Sequence, residues 1–101
     1  MFIYNVTTKL NPGIEVEWLE WMKDTHIPEV MQTGCFTESR ILRLLESDDS
    51  DGFTYTVQFM AETKAAYEQY LEVHAALLRN RTLSKWNNKV IAFRSLMELI
   101  H

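Results

Sequence analysis

One cysteine, two prolines and three glycines are all that this chain of 101 residues contains of those types. The lone Cys35 excludes an internal disulfide and fits a reducing cytosol. Basic charge is short as well: ten Lys and Arg stand against fourteen Asp and Glu, a net −4. That balance speaks against a nucleic-acid partner, because neutralising phosphates needs a basic face. No apolar run approaches the roughly 20 residues needed to span a bilayer. The opening Met1-Phe-Ile-Tyr-Asn-Val-Thr-Thr8 lacks the basic start and continuous apolar stretch of a signal peptide. These absences predict one cytoplasmic domain over residues 1–101, with no membrane and no nucleic acid among its partners.

Chemistry of the familiar kinds is equally scarce. No Ser-His-Asp or Cys-His arrangement can be assigned, and no His-x-x-His, His-x-x-x-His or cysteine-rich spacing marks a metal site. The acidic run Glu46 to Asp51 has too few properly spaced carboxylates for an EF-hand and reads as a hairpin tip. Neither a metal nor a cofactor is expected.

What the chain does have is apolar and aromatic residues, 47% hydrophobic with five Phe, four Tyr and three Trp, enough for one modest core. Phe2 to Lys9 alternates and carries β-branched and aromatic residues, so it reads as a strand. Asn11-Pro-Gly13 breaks it and starts a helix with Glu15 and Glu17 in its first turn. At about 100° per residue, Ile14, Trp18, Trp21, Met22 and Thr25 share a stripe. Pro28 should push Ile27 out of helical space and end or kink that helix, and Gly34 should cap one further turn. Phe36 to Glu46 and Phe53 to Ala61 read as two strands around a Ser47–Gly52 loop. A second helix is expected from about Lys64 to Arg81, N-capped by Thr63, with a stripe of Tyr67, Tyr70, Leu71, His74, Leu78 and Arg81. Val90 to Ile100 reads as a last strand.

The order is βαββαβ. Right-handed crossovers then give a ferredoxin-like α+β fold, a four-stranded antiparallel sheet with two helices on one face. Phe53, Tyr55, Val57 and Phe59 should face the helices. Thr54, Thr56, Gln58 and Met60 should share the other face with Ile3, Asn5 and Thr7, and with Val90, Ala92, Arg94 and Leu96 of the last strand. That surface is too apolar for solvent and too polar for a dry core, which predicts a homodimer with its sheets face to face.

The densest chemical segment is Trp18-Leu-Glu-Trp-Met-Lys-Asp-Thr-His-Ile-Pro-Glu29, followed by Thr33-Gly-Cys-Phe36. His26 falls at the rim of the Trp18 stripe near a helix end, where a pKa near neutrality is expected. It reads as a general base or a ligand contact, or else as a histidine fixing the Pro28 turn. Glu29 could orient it or simply begin a short helix. Trp18 and Trp21 read as packing residues, His74 as a buried core histidine, and Arg79, Arg81, Lys85 and Lys89 as a solvated face. Arg94, inside an apolar strand, either holds an anion beside Asn5, Thr56 and Gln58 or pairs with Glu38.

Several segments together resemble a known group: Ile3-Tyr-Asn-Val-Thr7, Trp18-Leu-Glu-Trp-Met22, His26-Ile-Pro-Glu-Val-Met31 and Ala92-Phe-Arg94. They are similar, over essentially the whole chain, to a bacterial family (domain of unknown function 4286) within the dimeric α+β barrel superfamily. The resemblance implies a pocket between sheet and helices or within the barrel, often lined by a histidine placed like His26. The superfamily includes cofactor-free monooxygenases, isomerases, haem-containing relatives and non-enzymatic sensing domains, so no activity follows from it. The expectation is a homodimer binding a small apolar or aromatic molecule or an organic acid. His26, Tyr4 or Tyr55 would supply polar contacts, with Asn5, Trp18, Gln58 and the anion partner Arg94 around them. His26 would be the base if the protein is a cofactor-free monooxygenase, isomerase or lyase. The alternatives are a ligand sensor and a plain dimerisation module.

Overall fold

The computed structural model describes residues 1–101. Strand β1 spans Phe2–Leu10, helix α1 Glu15–Trp21 and helix α2 Ile27–Met31, with a π-helical turn over Met22–His26 joining the two helices. Strands β2 (Glu38–Arg43) and β3 (Thr54–Ala61) follow, then helices α3 (Lys64–Val73) and α4 (Ala75–Trp86), a short 3-10 turn over Asn87–Lys89, and strand β4 (Val90–Glu98). The strands form one antiparallel sheet in the order β2-β3-β1-β4, which is the ferredoxin-like arrangement.

The helices cover one face. There Tyr4, Leu10, Tyr55, Val57 and Phe59 are buried against Trp18, Val30, Tyr70, Leu78 and Trp86. Tyr4 sits within an aromatic cluster, with ring centroids 6.1 Å from Phe36, 6.2 Å from Phe59, 5.5 Å from Tyr67 and 5.7 Å from Tyr70. Rings at such offset and tilted geometries add to the area they bury.

Local signals account for most boundaries. Thr63 is extended and its hydroxyl accepts the Ala66 N–H at 3.1 Å, capping α3. Gly34 takes φ +77° where the chain leaves α2, beside the Gly34 N–H bond to the Met31 carbonyl. Gly52, at φ +115°, closes the β2–β3 loop onto the end of β1, and a Cβ there would meet the Leu10 carbonyl oxygen at 1.8 Å.

Three expectations need correction. First, the helix does not end at Pro28. Ile27 is helical (φ −60°, ψ −46°) and its N–H reaches back to the Met22 carbonyl, five residues earlier. This wide turn relieves the clash that a proline ring makes with the preceding turn, and Pro28 sits in the first turn of α2. Second, the second helix breaks at His74 (φ −118°, ψ −32°) and resumes with a new phase. Ala75, Leu78 and Trp86 then point inward, while Leu71 and Arg81, expected inside, are exposed. Third, β4 has the opposite facing. Leu96, Arg94, Ala92 and Val90 stand opposite Tyr4, Val6, Thr8 and Leu10, so they face the helices. Ile91, Phe93 and Met97 lie on the open face instead, with Phe93 68% exposed. Both faces of β4 are comparably apolar, so alternation alone cannot choose between them, and a one-residue slip reverses every side chain.

Gly52→Ala should destabilise the protein by about 2 kcal/mol, since it combines a left-handed φ with a backbone collision. A fall in Tm on the order of 10 °C in a thermal melt would register it.

Candidate functional site

A cavity lies between the sheet and the helices. Tyr4, Val6 and Thr8 of β1, Val57 and Phe59 of β3, and Val90, Ala92 and Arg94 of β4 form its floor. Trp18, Met22 and His26 close one side and Tyr70, Arg79 and Thr82 the other. Its volume is about 50 Å³, space for a few waters. Arg79, Thr82, Val90, Ala92 and Arg94 also line an adjoining surface groove of about 310 Å³. The groove approaches the size that small ligands occupy, and the cavity is a small extension of it between sheet and helices.

The π turn places His26. Eight residues of ideal helix after Trp18 would turn His26 by about 80° from the Trp18 direction. A π turn absorbs one residue, which brings it back to within about 20° of that direction. His26 therefore lies under the Trp18–Met22 stripe rather than at its rim, and its ring stacks on Trp21 at 4.9 Å and 17°. Burial, reinforced by the Arg94 charge, lowers its pKa to about 4. The expectation of a histidine titrating near neutrality at a helix end is thereby corrected: the ring is half-buried, within the helical run and neutral at pH 7.

Thr82 lies beside Nδ1 of that ring. The Thr82 hydroxyl donates to the Leu78 carbonyl at 3.1 Å and lies 3.5 Å from His26 Nδ1. The Thr82 hydroxyl thus stands between the α4 backbone and the His26 ring. Glu29 does not orient this ring; it pairs with Arg81.

Two arginines complete the site. Arg79 Nη2 donates to the Tyr4 hydroxyl at 3.0 Å, and Arg79 Nε is buried with no partner. Arg94 stands on the floor near the mouth and is exposed. Burial holds the Tyr70 hydroxyl above the ordinary phenol range, next to Tyr4 and against the pull of Arg79 and Arg94. Tyr70 is therefore a neutral hydroxyl in the cavity wall.

Of the residues singled out in the sequence, His26, Tyr4, Trp18 and Arg94 come together here. Asn5 and Gln58 do not. They stand opposite each other on the open face of the sheet, where Asn5 Nδ2 donates to Thr7 Oγ1 at 3.0 Å. Tyr55 is in the core, 5.4 Å from Trp18, and its hydroxyl donates to Glu15 rather than entering the cavity. Burial and Glu15 push the Tyr55 pKa up to about 12. Glu38 pairs with Arg40, not Arg94. His74 is half-buried at the α3–α4 break, in an outer groove with Glu29 and Arg81. Arg79 and Thr82 were missed. Their signal is the Ala75, Leu78, Thr82, Trp86 spacing, which becomes visible only when α4 is counted afresh from His74. No three His, Cys, Asp or Glu side chains are grouped so that they could share a metal ion, and no helix is long and apolar enough to cross a membrane.

The fold recurs in solved structures. One is a variant of SnoaB, a cofactor-independent oxygenase from Streptomyces nogalater, at 14% identity and TM-score 0.69, covering 99% of this chain and 94% of that one. Another is a variant of MhuD with two manganese protoporphyrin IX molecules per active site, at 14% identity and TM-score 0.69, covering 100% and 96%. A third is a dimeric ferredoxin-like protein from an uncultured marine organism, at 13% identity and TM-score 0.66, covering 99% and 95%. Such distant likenesses show the fold alone, and these neighbours already differ in what they hold. No protein of curated function matches the chain in sequence. The family model for the domain of unknown function DUF4286 matches residues 1–100, and the chain belongs to that family.

Proposed function

We propose that this protein is a cytosolic homodimeric α+β barrel that binds a small apolar or aromatic molecule, or an organic acid, between its sheet and helices. The observation that carries this reading is the cavity itself: an apolar chamber closed by Trp18, Met22, Val57 and Phe59, with a neutral imidazole in its wall. His26 would meet the ligand through Nε2 and Arg94 would approach any anionic group. Tyr4 and Trp18 would form the aromatic wall. Asn5 and Gln58, on the open face, would serve the contact between subunits instead.

The dimer is supported by that face. Ile91, Phe93 and Met97 of β4 are exposed along one side of it, an apolar strip of the kind a second copy covers, and Leu42 of β2 is exposed at its far edge. A similar fold is described as dimeric in the marine protein. Phe93→Asp should convert a dimer to a monomer in native mass spectrometry; a wild-type monomer would remove this part of the proposal.

The catalytic form of the reading is a cofactor-free oxygenase, isomerase or lyase in which His26 Nε2 takes a proton from an activated carbon. The likeness to a cofactor-independent oxygenase favours it. The sensor reading is favoured by the lack of a second acid or base, since Glu29 is held by Arg81. His26→Ala separates them. Lost turnover with the dimer intact supports catalysis, and a change in ligand affinity alone supports a sensor.

Both forms need His26 unprotonated, and stability against pH reports that state. The folded value, about 4, lies below the ordinary 6.5. Between these values the unfolded chain binds the additional proton, so His26 costs stability as pH falls from about 6.5 to 4 and nothing above that window. The full difference is about 3 kcal/mol. Urea denaturation at pH 7 and at pH 4.5 should show a larger loss in the wild type than in His26→Gln.

A further inference from the structure

Five arginines occur in the chain, and three of them have carboxylate partners: Arg40 with Glu38, Arg43 with Asp49 and Arg81 with Glu29. The two that have none, Arg79 and Arg94, both line the cavity and both line the groove beside it. No Asp or Glu lines either space. In a protein of net charge −4, two uncompensated guanidinium groups therefore converge on one apolar chamber.

Guanidinium groups without a counter-charge in partly desolvated surroundings are costly unless something else supplies the charge. Within the chain, Arg79 has only a neutral partner, the Tyr4 hydroxyl at 3.0 Å, and its Nε–H is shut away from water with no acceptor at all. That bond to Tyr4 uses one Nη and holds the planar fork in place. Nε is half of the edge that takes a carboxylate in bidentate fashion. Arg94 comes from the facing strand and is free of any ion pair. The neighbouring walls are aromatic and aliphatic, Tyr4, Trp18, Phe59 and Tyr70 among them.

We propose that Arg79 and Arg94 form a two-arginine seat for the anionic group of the ligand, and that the groove they share selects small aromatic monoanions of the arenecarboxylate type over their neutral isosteres. Arg79 donates to the carboxylate through its Nε edge, Arg94 closes over it from β4, and the ring lies in the adjoining groove over Val90 and Ala92, since the enclosed chamber has room only for waters. The inference rests on the binding reading above and narrows it: an acid is required, and Arg79 is a specificity-determining residue that no sequence pattern had marked.

Benzoate and its neutral isostere benzamide test this on the full chain, by calorimetry and by NMR of the arginine Nε–H resonances. Benzoate is expected to bind saturably and to shift the Arg79 Nε–H signal, with benzamide at least about 10-fold weaker. Arg79→Gln and Arg94→Gln should each weaken benzoate by a similar factor, with Arg79→Lys intermediate, and Arg81→Gln should leave it unchanged. Arg94 is on the exposed rim, so its variant remains informative even if an Arg79 variant fails to fold. Benzamide binding as tightly as benzoate, or Arg94→Gln and Arg79→Lys both binding like the wild type, would overturn the arginine seat while leaving an aromatic pocket standing. Failure of both probes to bind at millimolar concentration would overturn the seat and the pocket together.

Discussion

Strand β1 is hydrogen-bonded on both edges, to β3 on one side and β4 on the other, through nearly its whole length. Because side chains alternate with period two, those two registers decide which residues the helices see. Tyr4, Thr8 and Leu10 go inward, and with them, from the neighbours, Phe59, Val57, Tyr55, Arg94 and Ala92. The cavity floor is a consequence of this pairing. Its walls then depend on how α1 and α4 present residues to that floor, and both helices do so through an irregularity. The π turn swings His26 under Trp18, and the break at His74 resets α4 so that Leu78, Arg79, Thr82 and Trp86 look down on the sheet.

Those irregularities also mark how far the sequence could be read. The element order, the Thr63 cap, the Gly34 exit and the facing of β3 were legible, because each rests on local chemistry or on a clear alternation of residues. The family, the domain of unknown function DUF4286, was legible from matched segments along the chain. The phase of β4 was not, since Val90, Ala92 and Leu96 are no more apolar than Ile91, Phe93 and Met97. The π turn that carries His26 was not, because an ideal helical projection cannot contain a turn that absorbs a residue. Arg79 was hidden for the same reason: counted in phase with Tyr67 and Tyr70, it belongs with its charged neighbours outside.

The charges in the site follow a consistent logic. Burial and the Arg94 charge both work against a proton on His26. Carboxylates that might have relieved the arginines are committed elsewhere, Glu29 to Arg81 and Glu15 to the Tyr55 hydroxyl. An acidic protein thus presents a locally positive, apolar interior, and opposite signs of charge are kept to different parts of a small molecule.

The placement of β1 also has a kinetic side. Phe2 stands opposite Glu98 and Leu10 opposite Val90, so one edge of the central strand is completed only by a segment some 80 to 96 positions further along the chain. Closing so long a loop is entropically costly and slow to be repaid by contacts. Until it closes, β1 exposes an unpaired edge beside β3, the kind of surface on which strands of other molecules add. The cavity floor, which includes Val90, Ala92 and Arg94, is therefore complete only once this long-range pairing forms, and the same step removes the edge most prone to mispairing.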